Sequence, residues 1–417
     1  MHQTVNCRFS AVVEGRLRKG LIEAVSVLRD LRKRLSVMQK TVYVLSLHRE
    51  VHNAMSPFQA KGIPALEQLP SEPCFQSLLQ FSLDEPTIRE VFLGGVGTSL
   101  LDDPKTGEMT KGYVEQTLLR LCAFLEDQGP ARLDDLLDFL SLDVVERRVK
   151  VPVLNVDLAG DEIALSRFGR LRRLRQCTIN PRPAPLVELS FSVKTAHFAL
   201  AAMTPVSEEI KKRVSLIRLA AQPLAAYNRF WVECHLPWEE FVPDFQFATR
   251  FWSKSLTEHP VPLVEIGPEH AEEIELLAER LLSSPHWNTV TTWRVACDRL
   301  DDAVFKLECG SPDSILDIVI GLESLLVEPG NTQESTHKVA VRAARYLEER
   351  IETRREIVRL VKQAYGARSK LAHGQAWTLD EKGLAQLAES AKVLARILGR
   401  MGLQAETQLD HLSLDLS

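Results

Sequence analysis

Tyr365-Gly366-Ala367-Arg368-Ser369-Lys370-Leu371-Ala372-His373-Gly374 closes a long, arginine-rich amphipathic segment and sets a fixed cation five positions before a titratable imidazole. A guanidinium is always charged and can clamp phosphate oxygens bidentately. An imidazole, with an ordinary pKa near ~6.5, can take or give a proton at neutral pH. Together they supply what cleavage of a phosphodiester without a metal requires. The spacing by itself is a weak signal, because chance places a His five positions after an Arg about once in a chain of this composition. The surrounding sequence has to carry the reading.

Two further blocks stand upstream: Leu316-Asp-Ile-Val-Ile-Gly-Leu322-Glu323-Ser-Leu-Leu326, and Glu334-Ser-Thr-His337-Lys-Val-Ala-Val-Arg342-Ala-Ala-Arg345-Tyr-Leu347. With the Tyr365–Gly374 block they resemble, in order and spacing, the Apea-like branch of the HEPN superfamily over residues 286–401. The resemblance implies a helical bundle that dimerises and brings two Arg-x4-His pairs into one cleft, where RNA is cut without a metal or other cofactor. Carried over by position, Arg368 and His373 are the catalytic pair. Ser369 fills the polar slot after the Arg, where Asn, Asp or His is commoner. Glu323 matches a supporting acidic position, and Tyr365 and Lys370 flank the pair in supporting places. The resemblance also implies a toxin-like or anti-phage defence role. Some members of the superfamily are inactive, so the alternative is a catalytically silent module that binds nucleic acid or dimerises.

Charge distribution bears on the RNA partner. The chain is acidic overall, at −5, yet between Ser335 and His373 ten cations face four anions. Screening makes distant charges ineffective beyond about 8 Å at physiological salt, so a local basic face can still hold a polyanion. Arg342, Arg345, Arg359 and Lys362 are the expected RNA contacts. The other reading of the same residues is a solvated helix face with pairs one turn apart.

At 417 residues the chain is long enough for two or three domains. Its 45% apolar and 26% charged residues are those of a globular protein. No apolar run is long enough to span a bilayer, and the N-terminus lacks a signal-peptide layout, so a cytoplasmic protein is expected. Seven scattered cysteines without a Cys-x-x-Cys argue against disulfide frameworks and zinc sites. Cys234-His235 reads as ordinary packing, and no metal site is expected.

The expected fold class is mainly α, with the HEPN-like bundle preceded by a mixed α+β region. Expected domains are 1–205, a helical connector 206–285, the bundle 286–401 and a loose tail 402–417. Leu17, Leu21, Ala24, Leu28, Leu31, Leu35, Met38, Val42 and Leu45 form an a/d seam that packs either within the chain or against a protein partner. Helices are expected at 73–82, 85–93, 112–127 and 131–141. Gly94-Gly95-Val96-Gly97-Thr98-Ser99 lacks the Gly-Lys-Ser/Thr ending of a phosphate loop and is expected to be a flexible turn. Alternating residues predict strands at 149–158 and 186–194, the first confined by Pro152 to an edge or bulge. Arg167–Arg175 carries five arginines and is either a phosphate grip or an exposed basic turn.

Helices are expected again over 207–235 and 269–282. The bundle is read as 288–308, 313–327, 335–350, 353–373 and 378–399, with Asp313 and Ser335 or Thr336 as N-caps. Gly374 is placed for a left-handed C-cap. Five positions on a helix turn through about 140° net, so Arg368 and His373 cannot share one stripe. A homodimer, or higher homo-oligomer, is therefore built into the expected mechanism.

Overall fold

Leu17, Leu21, Ala24, Leu28 and Leu31 are all nearly inaccessible, and their steps of four and three put them on one stripe of helix α1 (Ala11–Lys33). The computed structural model describes residues 9–33, 68–100, 104–142, 145–174, 186–195, 199–227, 230–233, 261, 263–287, 289, 291–327 and 336–404. The part of the predicted seam from Leu35 to Leu45, the Cys234-His235 pair and the part of the 402–417 tail beyond Gln404 lie outside the described residues. The chain divides into two units, Met1–Val149 with Ser192–Ser207 and Trp231–Gln246, and Lys150–Phe191 with Glu208–Phe230 and Phe247–Ser417.

In the first unit, α1 packs on α2 (Pro73–Asp84) and α4 (Pro104–Gln128), and α3 (Pro86–Leu100) packs on both of these. A short α5 (Leu133–Ser141) also touches α1. The stripe of α1 up to Leu31 is thus spent inside the unit, against Phe75, Leu78, Leu118, Phe124, Leu136 and their neighbours in one apolar cluster. Arg18 to Asp134 at 2.6 Å and Arg32 to Glu126 at 2.6 Å close its two ends. The expected turn at Gly94–Ser99 is instead the second half of α3. Glycine in a helix costs roughly 1 kcal/mol each. Burial of Ile88, Val91, Phe92 and Leu93 on the preceding turns offsets that cost.

Strands follow in the middle of the chain, and most of them belong to the second unit. Strands β3 (Glu162–Leu165), β4 (Gly169–Leu174) and β5 (Leu186–Thr195) form an antiparallel meander, with Ile163 opposite Leu171 and Leu171 opposite Leu189. Strand β2 (Val156–Leu158) runs parallel to β7 (Val264–Ile266). Strand β1 (Val145–Val153) has β5 on one side and on the other only β6 (Trp231–Glu233), too short to flank all nine residues around Pro152. The five-arginine stretch is neither a phosphate grip nor a free turn over its described part: it is the β3–β4 connection and β4 itself. Arg167 faces Glu279, Arg170 faces Glu162, and Arg173 pairs with Asp157 at 2.9 Å. Alternation was masked there by charged residues whose partners come from other elements.

Helix α6 (Ala199–Ala220) carries Pro205 inside it and stops fifteen residues short of the expected His235. It stops where Gln222 and Leu224 enter bonds with Asn155, whose amide also reaches Glu308 at 3.0 Å. Helix α7 (Pro268–Leu281) follows, its Glu275 accepting from Ser166 and from the Arg167 and Phe168 amides.

Five helices complete the unit: α8 (Thr292–Glu308), α9 (Ser314–Leu326), α10 (Thr336–Leu347), α11 (Ile351–Ala372) and α12 (Glu381–Gln404). All five lie within a few residues of the sequence reading, so the chain is mainly α with a smaller sheet portion. Thr291 caps α8 by accepting from the Arg294 amide at 3.1 Å. Asp313 holds the expected N-cap position of α9, but its side chain makes no cap bond. Trp293, Leu300, Ile318, Leu322, Val339, Val361, Leu394 and Leu398 fill the interior, and Trp293 donates its indole N–H to the Leu398 carbonyl.

Charged groups tie the interior as well. Arg218 of α6 meets Asp301 of α8 at 2.7 Å with both side chains almost wholly inaccessible. Arg218 also donates to the Ala225 carbonyl. Removing one member of such a pair leaves a buried charge uncompensated. Asp301→Ala is expected to destabilise the second unit by about 3–5 kcal/mol in urea unfolding. Exposed Asp313→Ala serves as the control, with a loss within about 0.5 kcal/mol.

Candidate functional site

Helix α11 buries Ile357, Val361, Ala364 and Ala367, spaced by four, three and three, against α9, α10 and α12. That stripe sets the direction of every other side chain on the helix. Arg368, seven residues after Val361 and four after Ala364, continues the stripe at its C-terminal end, where it is half-exposed. Its Nη1 donates to Glu323 Oε1 of α9 at 2.7 Å, and its guanidinium carbon lies 5.8 Å from the Tyr365 ring centre. One of the five guanidinium N–H groups is engaged in this way. With 39% and 29% of the two side chains accessible, solvent screens the pair, and its net worth is about 1 kcal/mol or less. Its effect is to fix the direction of the guanidinium.

The helix ends in a Schellman motif. Gly374 has φ +70, its N–H bonds to the Leu371 carbonyl at 3.0 Å, and the Gln375 N–H bonds to the Lys370 carbonyl at 2.8 Å. The expected left-handed cap is therefore present. His373 is the last residue before it, with φ −95 and ψ 13, an exposed side chain and its backbone N–H on the Ser369 carbonyl. Within one chain, helix geometry separates Arg368 and His373 by about 140° and about 7.5 Å of rise, and sets His373 only about 60° from Lys370. The two functional groups share an end of a helix but not a face.

Ser369 and Lys370 are exposed, and Tyr365 is half-buried. Among the expected RNA contacts, Arg345, Arg359 and Lys362 are exposed. Arg342 is not. It is 4% exposed, and its Nη1 donates to the carbonyl of Leu326, the last residue of α9, at 2.6 Å. Its place is to satisfy a carbonyl left open at a helix end, so the expectation that it touches RNA is corrected. Arg359 makes an ion pair one turn back with Glu356, whose hydrogen bond raises the guanidinium above its usual value.

Sequence reading missed the groove of about 510 Å³ between α11 and α12. Arg359, Gln363 and Lys370 line one wall, and Trp377, Lys382 and Glu389 stand across it. The Trp and the α12 residues lie outside the recognised motif, and only a pairing of the two helices brings them to Lys370. Asp317, in the first of the three blocks, has a structural place. It is buried and bonded to Arg299 at 3.2 Å and Lys306 at 2.5 Å, pinning α9 to α8. Among the described residues no group of His, Cys, Asp and Glu could hold a metal ion, and no helix is long and apolar enough to cross a membrane.

No family model matches this chain, and comparison with curated proteins and with solved structures likewise finds no match.

The cap and the ion pair have separable energies. Gly374→Ala is expected to lose about 1 kcal/mol in chemical denaturation because a Cβ is disfavoured at positive φ, and Gly374→Asn is expected to lose less. Glu323→Gln is expected to change stability by less than about 1 kcal/mol.

Proposed function

We propose that the protein is a metal-independent endoribonuclease of HEPN type, working as a homodimer and serving as a toxin-like or defence effector. The observation that carries this reading is the placement at the end of α11. A guanidinium is held half-exposed by Glu323, and an exposed imidazole sits at the capped terminus five residues on. The described residues of the three blocks that resemble the superfamily fall on α9, on α10, and on α11 with its cap.

The two groups lie on different faces of one helix, so the reading calls on a second copy. Two α11 ends related by a two-fold axis put an arginine and a histidine from each subunit around one phosphate. One His373 accepts the proton of a ribose 2′-hydroxyl as that oxygen attacks the adjacent phosphorus. The P–O5′ bond breaks, and the partner's His373, protonated, delivers its proton to the leaving 5′ oxygen. The Arg368 pair stabilises the charge gathered on the non-bridging oxygens. Products carry a 2′,3′-cyclic phosphate and a 5′-hydroxyl. Arg345 and Lys362 supply further positive charge for the strand.

The test is RNA cleavage by the full chain in EDTA. Wild type is expected to cut, with Arg368→Ala and His373→Ala each slower by about 10²-fold or more. End analysis should find cyclic phosphate. Equal rates in all three, or a strict need for a divalent ion, would contradict the reading. Salt-sensitive RNA retention without cleavage by wild type would favour the silent binding module instead.

A further inference from the structure

The groove between α11 and α12 is built differently from an accidental crevice. Gln386 donates to the Gln363 carbonyl at 2.7 Å, closing the two helices along it. The chain leaving the α11 cap returns over residues 375–380, and its return is pinned at Asp380. That carboxylate accepts from the Gly383 amide at 2.8 Å and from the Thr378 hydroxyl at 3.0 Å. Gly383 leaves no room for a side chain, since a Cβ there would stand 2.0 Å from the Thr378 carbonyl oxygen. This close approach holds Trp377, half-buried, against the groove.

The lining combines three cations, Arg359, Lys370 and Lys382, with one carboxylate, Glu389, an indole and the amides of Gln363 and Gln386. Gly366 and Ala367 keep the α11 wall low. Cations on both walls suit a phosphate, and a planar aromatic held at the rim suits a nucleobase. Lys370 is about 60° from His373 on the helix wheel, so the groove opens on the imidazole side of α11.

We infer that this groove is a subsite for one nucleotide of single-stranded RNA, with the base stacked on Trp377 and its phosphate held by Lys370 and Lys382. It deepens the nuclease reading, and rests on it for the identity of the ligand, by naming where the strand beside the scissile phosphate is gripped. Stacking on a rim aromatic is tolerant of sequence, so the subsite selects unpaired strands rather than a particular base.

The test measures binding of a short fluorescent single-stranded RNA whose 2′-oxygens are methylated, so that it can bind but not be cut. Trp377→Ala is expected to weaken binding about tenfold, and Trp377→Phe, which keeps an aromatic face, by no more than about threefold. Lys382→Glu, at an exposed position, is expected to weaken binding and to flatten its salt dependence. Should Trp377→Ala melt below wild type, the Phe and Lys382→Glu variants carry the test. Wild-type binding in Trp377→Ala or in Lys382→Glu overturns the subsite, even if unmodified RNA is cleaved normally. Weakened binding in both variants, alongside a wild type that binds but never cleaves, upholds the subsite and sinks only the nuclease reading.

Discussion

Burial of one face of α11 is the constraint on which the rest depends. Ile357, Val361, Ala364 and Ala367 can all be inaccessible only at one rotation of the helix about its axis. At that rotation Arg368 lies beside α9, within reach of Glu323, while Arg359 and Lys370 face α12 across the groove. Small side chains at Ala364 and Ala367 bring the neighbouring helices close to this end. The Schellman cap then stops the helix directly after His373, so that the imidazole stands at a terminus rather than on a continuing stripe. A turn of α11 by one residue, about 100°, would carry Arg368 away from Glu323 and break each of these relations.

Around α11, charged groups serve mainly to hold helices in place. Asp317 is buried between Arg299 and Lys306, Arg342 closes the carbonyl end of α9, and Arg218 reaches Asp301 in the interior. Asp317 and Arg342 set the position of α9, and with it the place of Glu323. In the Glu323–Arg368 pair both partners are partly open to solvent, whereas each of the others has a buried member. An ion pair of that kind adds little stability, which makes orientation of the guanidinium its more consequential effect. The groove across α11 adds positive charge on the side nearer the imidazole, and under the proposed reading the strand runs from there to the scissile phosphate.

Much of the helical framework was legible in the sequence because apolar periodicity and punctuation agreed. Gly310 and Pro312 separate α8 from α9, and Gly374 marks the end of α11. Three features escaped that reading for physical reasons. The glycines of α3 were read as a turn although buried residues on the preceding turns carry the helix through them. The arginines of β4 and of the turn before it concealed a strand because their carboxylate partners, Asp157, Glu162 and Glu279, come from elsewhere in the fold. Arg342 counted as part of a basic face, yet its helix turns it inward to a carbonyl sixteen residues earlier in the chain. In the candidate site, the Arg–His spacing and the cap were readable locally. The Glu323 contact was suggested only by its place in the motif, and the groove wall formed by Trp377 and Lys382 was not readable without the pairing of α11 and α12.

Under the proposed reading, one active centre uses the arginine and the histidine of both copies of the chain. Titrating wild type with the His373→Ala variant, under conditions that let subunits exchange, tests this most directly. With one His373 as base and the other as acid, a mixed dimer lacks one of the two, so RNA cleavage in EDTA should fall as the square of the wild-type fraction. Cleavage that falls only in proportion to the wild-type fraction, in a mixture that does exchange subunits, would contradict the shared centre.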